Sequence, residues 1–207
     1  MISQALSAHN VADYFLAKTG DDSGLPVTQL VLQKLLYYAQ GFHLALQGEP
    51  LFEDAIVAWK HGPVVPGIYQ TYRRWRKHPI GRPDLDGLNV GDTLAPEARE
   101  VLDMVQAVYG QIPAWKLSAL THVGPPWIKT RRGAVIQHEL LKEFFLALVT
   151  AGKTGDAVSD EPVWPTNSLR HQRRKEIMRR LAPSREKLRR ILDRVPSPDP
   201  WAGDDED

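Results

Sequence analysis

The stretch QLVLQKLLYYAQGFHLALQ, residues 29–47, constrains the fold more than any other part of the chain. Leu32, Leu35, Leu36, Ala39, Phe42 and Leu46 keep the i, i+3, i+4, i+7 spacing of one helical face, and Leu30, Tyr37 and Leu44 add a second. Only a narrow polar stripe remains, through Gln33, Gln40 and Gln47 at seven-residue spacing. A helix that is apolar around most of its circumference needs neighbours on several sides, so it belongs in the middle of a domain. Thr28 can cap its start, and Gly48 with Pro50 ends it.

The elements around it read as helices almost throughout. Ser7 can cap a helix through about Lys18 with Val11 and Phe15 inside, and Gly20 supplies the stop. LFEDAIVAW is a short extended segment, and Gly62-Pro63 turns the chain toward a helix that Pro66 can open. That helix carries Val65, Ile68, Tyr69, Tyr72 and Trp75 at helical spacing. After a Gly/Pro-rich loop, Thr93 opens a helix with Ala98, Val101, Leu102, Val105, Val108 and Tyr109 inside, closed by Gly110. Pro113 begins AWKLSALTH, which GPPW ends, and the last core helix runs from about Ile136 to Val149, burying Leu140, Leu141, Phe144, Phe145 and Leu148. The expectation is a mainly α protein: a single compact helical domain over 5–152 with one short strand or extended segment.

Beyond it the composition changes. Residues 153–167 have a linker's composition, 168–194 hold eleven Lys/Arg against three acids and read as a basic helical extension, and 195–207 hold five acids and no base. That last stretch is expected to be a disordered tail. The formal net charge of +1 therefore conceals a segment of +8 followed by one of −5. There is no cysteine, which removes disulfides, thiolate metal sites and cysteine nucleophiles from consideration. The N-terminal residues do not form a basic stretch followed by an apolar run, and no apolar stretch is long enough to span a bilayer, so the expectation is a cytoplasmic protein without a membrane partner.

Recognisable chemistry is sparse. The chain has no GxGxxG or GxxxxGK[ST] phosphate loop and no GxSxG elbow. His138-Glu139 lacks the second histidine of a helical zinc motif, and none of the seven histidines forms a close pair with ligand spacing, so neither a metal nor a cofactor is expected. Asp21/Asp22 and Asp84/Asp86 sit beside glycines, where turn chemistry explains them. The densest cluster of special residues is AWKHGPVVPGIY, residues 58–69, with Trp59, His61, Gly62, Pro63 and Tyr69. Thr121, His122 and Trp127 form a similar group at a helix end. Both groups have a plain structural reading in which the tryptophans are core aromatics, the histidines hydrogen-bond across turns, and Gly and Pro fix backbone angles. An enzyme would need the fold to bring a carboxylate or hydroxyl to His61 or His122.

In combination these residues carry a resemblance. The run from VTQLVLQKLLYYAQG through PLF and AWKHGPVVPGIY, the corner LSALTHVGPPW and the late helix IQHELLKEFF resemble the Panacea-domain family, also described as phage-associated or SocA-like proteins. The likeness covers roughly residues 5–150, and the basic extension lies outside it. THVGPPW departs from the pattern, because many relatives place an acid between the histidine and the proline. The resemblance implies a mainly helical antitoxin that binds and neutralises a cognate protein toxin, with no catalytic residues. In the SocA-like branch it implies an adaptor that hands the toxin to the ClpXP protease.

Three functions follow as alternatives: a toxin-binding antitoxin, a nucleic-acid-binding regulator using the basic helix, and a small hydrolase using His61 or His122. In the first, Trp59, His61, Gly62, Pro63, Tyr69, Thr121, His122 and Trp127 are a structural signature that shapes a binding surface. Arg170, Arg173, Arg174, Arg179 and Arg180 are candidate contacts to an acidic partner, since guanidinium groups grip carboxylates and phosphates in bidentate fashion.

Overall fold

The computed structural model describes residues 6–18, 26–81 and 94–151. Helix α1, Ala8–Ala17, starts in a reciprocal cap: the Ser7 side chain accepts from Asn10 N–H, and Ser7 N–H donates to Asn10 Oδ1 at 3.1 Å. Asp54 adds a carboxylate at the same helix end, accepting from Ala8 N–H at 2.9 Å. Helix α2, Gln29–Gln47, is capped by Thr28 and stopped by Gly48, whose φ of 88° a side chain would resist.

A small hairpin follows. Strand β1, Val57–Trp59, pairs antiparallel with β2, Gly62–Val64, in the register Val57↔Val64, Ala58↔Pro63 and Trp59↔Gly62. Lys60 and His61 therefore make the turn, whereas Gly62-Pro63 is expected there from sequence; both lie in β2 instead. Two features permit this. Gly62 takes φ 98°, a conformation open to glycine just after a tight turn. Pro63 removes no ladder bond, because the backbone of its partner Ala58 bonds outward, accepting from Gly133 N–H at 2.7 Å and donating to Ala134 O at 3.0 Å. A bridge between Val57 and Val135 and a bond from Ile136 N–H to Ile56 O at 2.8 Å extend that outer contact.

Helix α3, Pro66–Tyr72, has its proline at the first turn and runs into a 3-10 turn, Arg73–Trp75. Helix α4, Pro96–Tyr109, opens on Ala95 and Pro96 rather than on Thr93, which lies outside the described residues, as does the Gly20 stop. Helix α5 spans Ala114–His122, the single turn α6 Pro125–Ile128, and α7 His138–Ala151. The last helix begins two residues later than its apolar pattern suggests, because Ile136 is held in extended pairing with Ile56. On it Leu141, Phe145 and Val149 are buried and Leu140 and Phe144 half-buried, but Leu148, expected inside, is 40% exposed.

Helix α2 is the centre. Every residue from Gln29 to Ala45 is buried, with α1, α3, α4, α5, α7 and β2 packed around it. Toward α4 and α7 it presents rings: Tyr38 stacks on Tyr109 at 3.9 Å, and Phe145 meets Phe42 edge-on at 4.8 Å and Tyr37 at 5.4 Å. Gly41 makes room for this, since a Cβ there would collide with the Phe145 ring. The architecture is mainly α with one two-stranded sheet among the described residues. The linker 153–167, the extension 168–194 and the tail 195–207 lie outside them.

Candidate functional site

The polar stripe of α2 is buried, and it organises the hairpin. Gln40 closes the entry to the hairpin segment: its Oε1 accepts from Leu51 N–H at 2.9 Å and Phe52 N–H at 3.2 Å, while its Nε2 donates to Phe52 O at 2.9 Å. Gln33 Oε1 accepts from Val65 N–H at 2.8 Å, and Gln29 Nε2 donates to Tyr69 O at 3.0 Å. Three glutamine side chains thus satisfy backbone groups ahead of the hairpin, at its exit and on α3.

Between them sits Lys34, fully buried, with Nζ 2.5 Å from His61 O and 3.1 Å from Pro63 O. Burial pushes its ammonium down to about 7. Gly62 lies between these two carbonyls, and a Cβ on it would stand 2.7 Å from both Lys34 Nζ and Thr121 Oγ1. Glycine is therefore required at position 62 twice over, by its φ and by the close approach of the lysine.

The second group of signature residues closes on the same turn from the other side. Trp127 Nε1 donates to Trp59 O at 3.0 Å, and Ser118 Oγ donates to His61 O at 3.2 Å. The His122 ring lies 3.1 Å from Lys60 O through Nε2 and 2.7 Å from Ser118 O through Nδ1. Thr121 Oγ1 donates to Ser118 O at 2.7 Å within α5. The His122 and Trp127 rings meet edge-on at 4.3 Å, as do those of Trp59 and Tyr69 at 4.9 Å. The structure therefore brings Trp59, His61, Gly62, Pro63, Tyr69, Thr121, His122 and Trp127 into one cluster, with the carbonyls of residues 59, 61 and 63 each accepting from a side chain and the His122 ring set against that of residue 60.

One expectation needs correction. Trp59 and Trp127 are half-buried rather than fully buried core aromatics, Trp127 packing against the core from its edge. Within the polar stripe of α2, Gln40 is fully buried and Gln33 nearly so, as the central place of the helix requires. Sequence reasoning missed Lys34, whose only signal is a single cation inside a helix with no exposed side. Arg170, Arg173, Arg174, Arg179 and Arg180 lie outside the described residues. Among the described residues no group of three or more His, Asp or Glu could hold a metal, and no helix is long and apolar enough to cross a membrane.

Comparison with known proteins bears on the same segment. The family model for the SocA-like antitoxin, Panacea domain, matches residues 32–128, from the first turn of α2 to the last residue of α6. The chain is also similar to Antitoxin SocA of Caulobacter vibrioides (strain NA1000 / CB15N), at 34% identity over 132 residues that cover 60% of this chain and 70% of that protein. No solved structure gives a significant match. Lys34, the hairpin it holds and the α5–α6 corner all fall inside the matched segment, and the chain belongs to the SocA-like antitoxin family with a Panacea domain.

Proposed function

We propose that this chain is the antitoxin of a toxin–antitoxin pair and neutralises a cognate protein toxin by direct contact, with no catalysis of its own. Family membership supports the antitoxin role. The observation that carries the non-catalytic part is the use to which the reactive side chains are put. Lys34, Ser118, His122 and Trp127 direct their polar atoms at backbone carbonyls of the hairpin or of α5, an arrangement that fixes a shape. A nucleophile–base pair would instead aim a hydroxyl proton at a ring nitrogen; where a hydroxyl does meet a ring nitrogen, at Thr71 and His9 3.0 Å apart, Thr71 Oγ1 donates to Gly67 O at 3.1 Å.

Co-expression with the protein encoded beside this chain tests the reading. Growth rescue together with co-elution of the two proteins is expected, and rescue that persists after all measurable binding is lost contradicts direct neutralisation. The adaptor route is a finer part of the same proposal: depletion of ClpXP should then abolish rescue while leaving the complex intact, and rescue unchanged by depletion rejects it. Arg170, Arg173, Arg174, Arg179 and Arg180 are proposed as auxiliary contacts to an acidic partner. Changing Arg173, Arg174, Arg179 and Arg180 to Ser should weaken the complex without lowering the melting temperature of the helical domain.

A further inference from the structure

The hairpin and the α5–α6 corner share an outer face with a distinctive composition. Residues 55–72, from the approach to β1 to the end of α3, contain Lys60 and no acid, and residues 111–138 contain Lys116, Lys129, Arg131 and Arg132 and no acid. The two stretches are joined by the Trp127–Trp59, Ser118–His61 and Ala58–Ala134 bonds, so positive charge collects on the side of the molecule that carries the signature. Within this face lies an apolar spot. Ile128 is 60% exposed and Val135 45% exposed, and a depression lined by Ala58, Trp127, Ile128, Thr130 and Arg132 opens beside them. Lys129, Arg131 and Arg132 stand exposed along the loop that connects Ile128 to Val135.

We infer that this patch docks the partner protein, and that the docking segment is acidic with an apolar side chain among its carboxylates. The inference rests on the antitoxin reading and gives its contact surface a place and a chemistry. The apolar side chain enters the depression at Ala58 and Trp127 against Ile128, while carboxylates pair with Lys129, Arg131 and Arg132. Arginines at a rim favour carboxylates through their planar fork, and an apolar centre inside a charged rim is the ordinary layout of a protein interface. A nucleic-acid backbone would match the charge but offers nothing to cover Ile128 and Val135. The rigid support beneath also fits: the loop from Ile128 to Val135 is anchored on β1 by bonds to both backbone groups of Ala58, so the patch is formed before binding.

The test uses the full chain and the co-eluting protein encoded beside it. Ile128→Ser and the pair Arg131→Ser with Arg132→Ser change only exposed side chains, and circular dichroism should show unchanged melting. Each should weaken the complex at least tenfold. A charge-matched control, Arg74→Ser with Lys77→Ser near the end of α3, should stay within about threefold of the parent. Full-strength binding by both patch variants overturns the inference while leaving the antitoxin reading intact. Displacement of the partner by a 20-base-pair DNA duplex, with Ile128→Ser harmless, assigns the patch to nucleic acid and also overturns it. Absence of any complex with the parent chain removes the antitoxin reading and this inference together.

Discussion

Helix α2 has two faces that solve burial in opposite ways. Toward α4 and α7 it packs rings, with Tyr38, Phe42, Tyr109 and Phe145 in stacked and edge-on contact, and this face needs only shape. Toward the hairpin it buries Gln29, Gln33, Lys34 and Gln40, and this face depends on directed hydrogen bonds to backbone groups, although Gln33 Nε2 is left without one. The first kind of packing tolerates exchange among apolar side chains of similar volume, whereas the second specifies one conformation of one loop. A hairpin of two three-residue strands could not hold itself, so its conformation is written largely in the helix behind it.

The largest effect is expected on the aromatic face. Phe145→Ala should cost about 4 kcal/mol in denaturant unfolding, because the ring is fully buried and packs on Tyr37, Tyr38 and Phe42. A cost below about 1.5 kcal/mol would mean that this face is loosely packed and the contrast between the two faces unfounded.

Lys34→Met should cost less, about 2 kcal/mol near pH 7, since it removes the Lys34 bond to Pro63 O and leaves His61 O with Ser118 Oγ alone, but relieves the burial of a charge. The difference must change with pH. Lys34 sits at about 7 when folded against 10.5 when exposed, so between these values the unfolded chain holds a proton that the folded one has lost. Its contribution therefore improves as pH rises through that window, and the gap between parent and Lys34→Met should widen by roughly 1.4 kcal/mol per pH unit. A gap that narrows from pH 7.5 to 9.5 contradicts the assignment.

The tyrosines give the opposite sign at higher pH. Burial, and for Tyr37 and Tyr38 the neighbouring tyrosine hydroxyls, hold Tyr37, Tyr38 and Tyr109 above their ordinary 10.0. Above pH 10 the unfolded chain ionises first, so stability on this face falls with rising pH. Tyr109→Phe should reduce that fall, and an unchanged fall would show that the stacked pair does not titrate with folding.

The smallest effect belongs to the rim. Trp127→Phe keeps an aromatic ring at a half-buried position but removes the bond to Trp59 O and part of the indole's contact area, at a cost of about 1 kcal/mol. A loss above about 3 kcal/mol would mean that the corner carries the fold rather than trimming it.

How much of this was legible depends on range. The central helix, its Thr28 cap and its Gly48 stop are local signals, and spacing alone places them. The turn is not local: Gly62-Pro63 looks like a turn in isolation, but Lys34 and the outward bonding of Ala58 shift the turn to Lys60 and His61. The signature residues stand out by type, but what unites them is a set of backbone carbonyls, and carbonyls leave no mark in a sequence. Leu148 misled for the simplest reason, since its spacing from Leu141 and Phe144 is helical, but the buried line of the helix runs through Leu141, Phe145 and Val149 and leaves it to one side.

The central claim is that Lys34 holds the signature hairpin in place from inside. Native-state hydrogen exchange on the parent and on Lys34→Met at pH 7 addresses it residue by residue. Ala58, Val65 and Gly133 donate their N–H groups to Ala134 O, Gln33 Oε1 and Ala58 O, and they report on the hairpin, its exit and its outer anchor. In Lys34→Met these amides should exchange more than tenfold faster than the change in global stability accounts for, while amides in the middle of α2 and α7 follow the global change alone. Equal acceleration at all these amides, with no excess at Ala58, Val65 and Gly133, would contradict the claim.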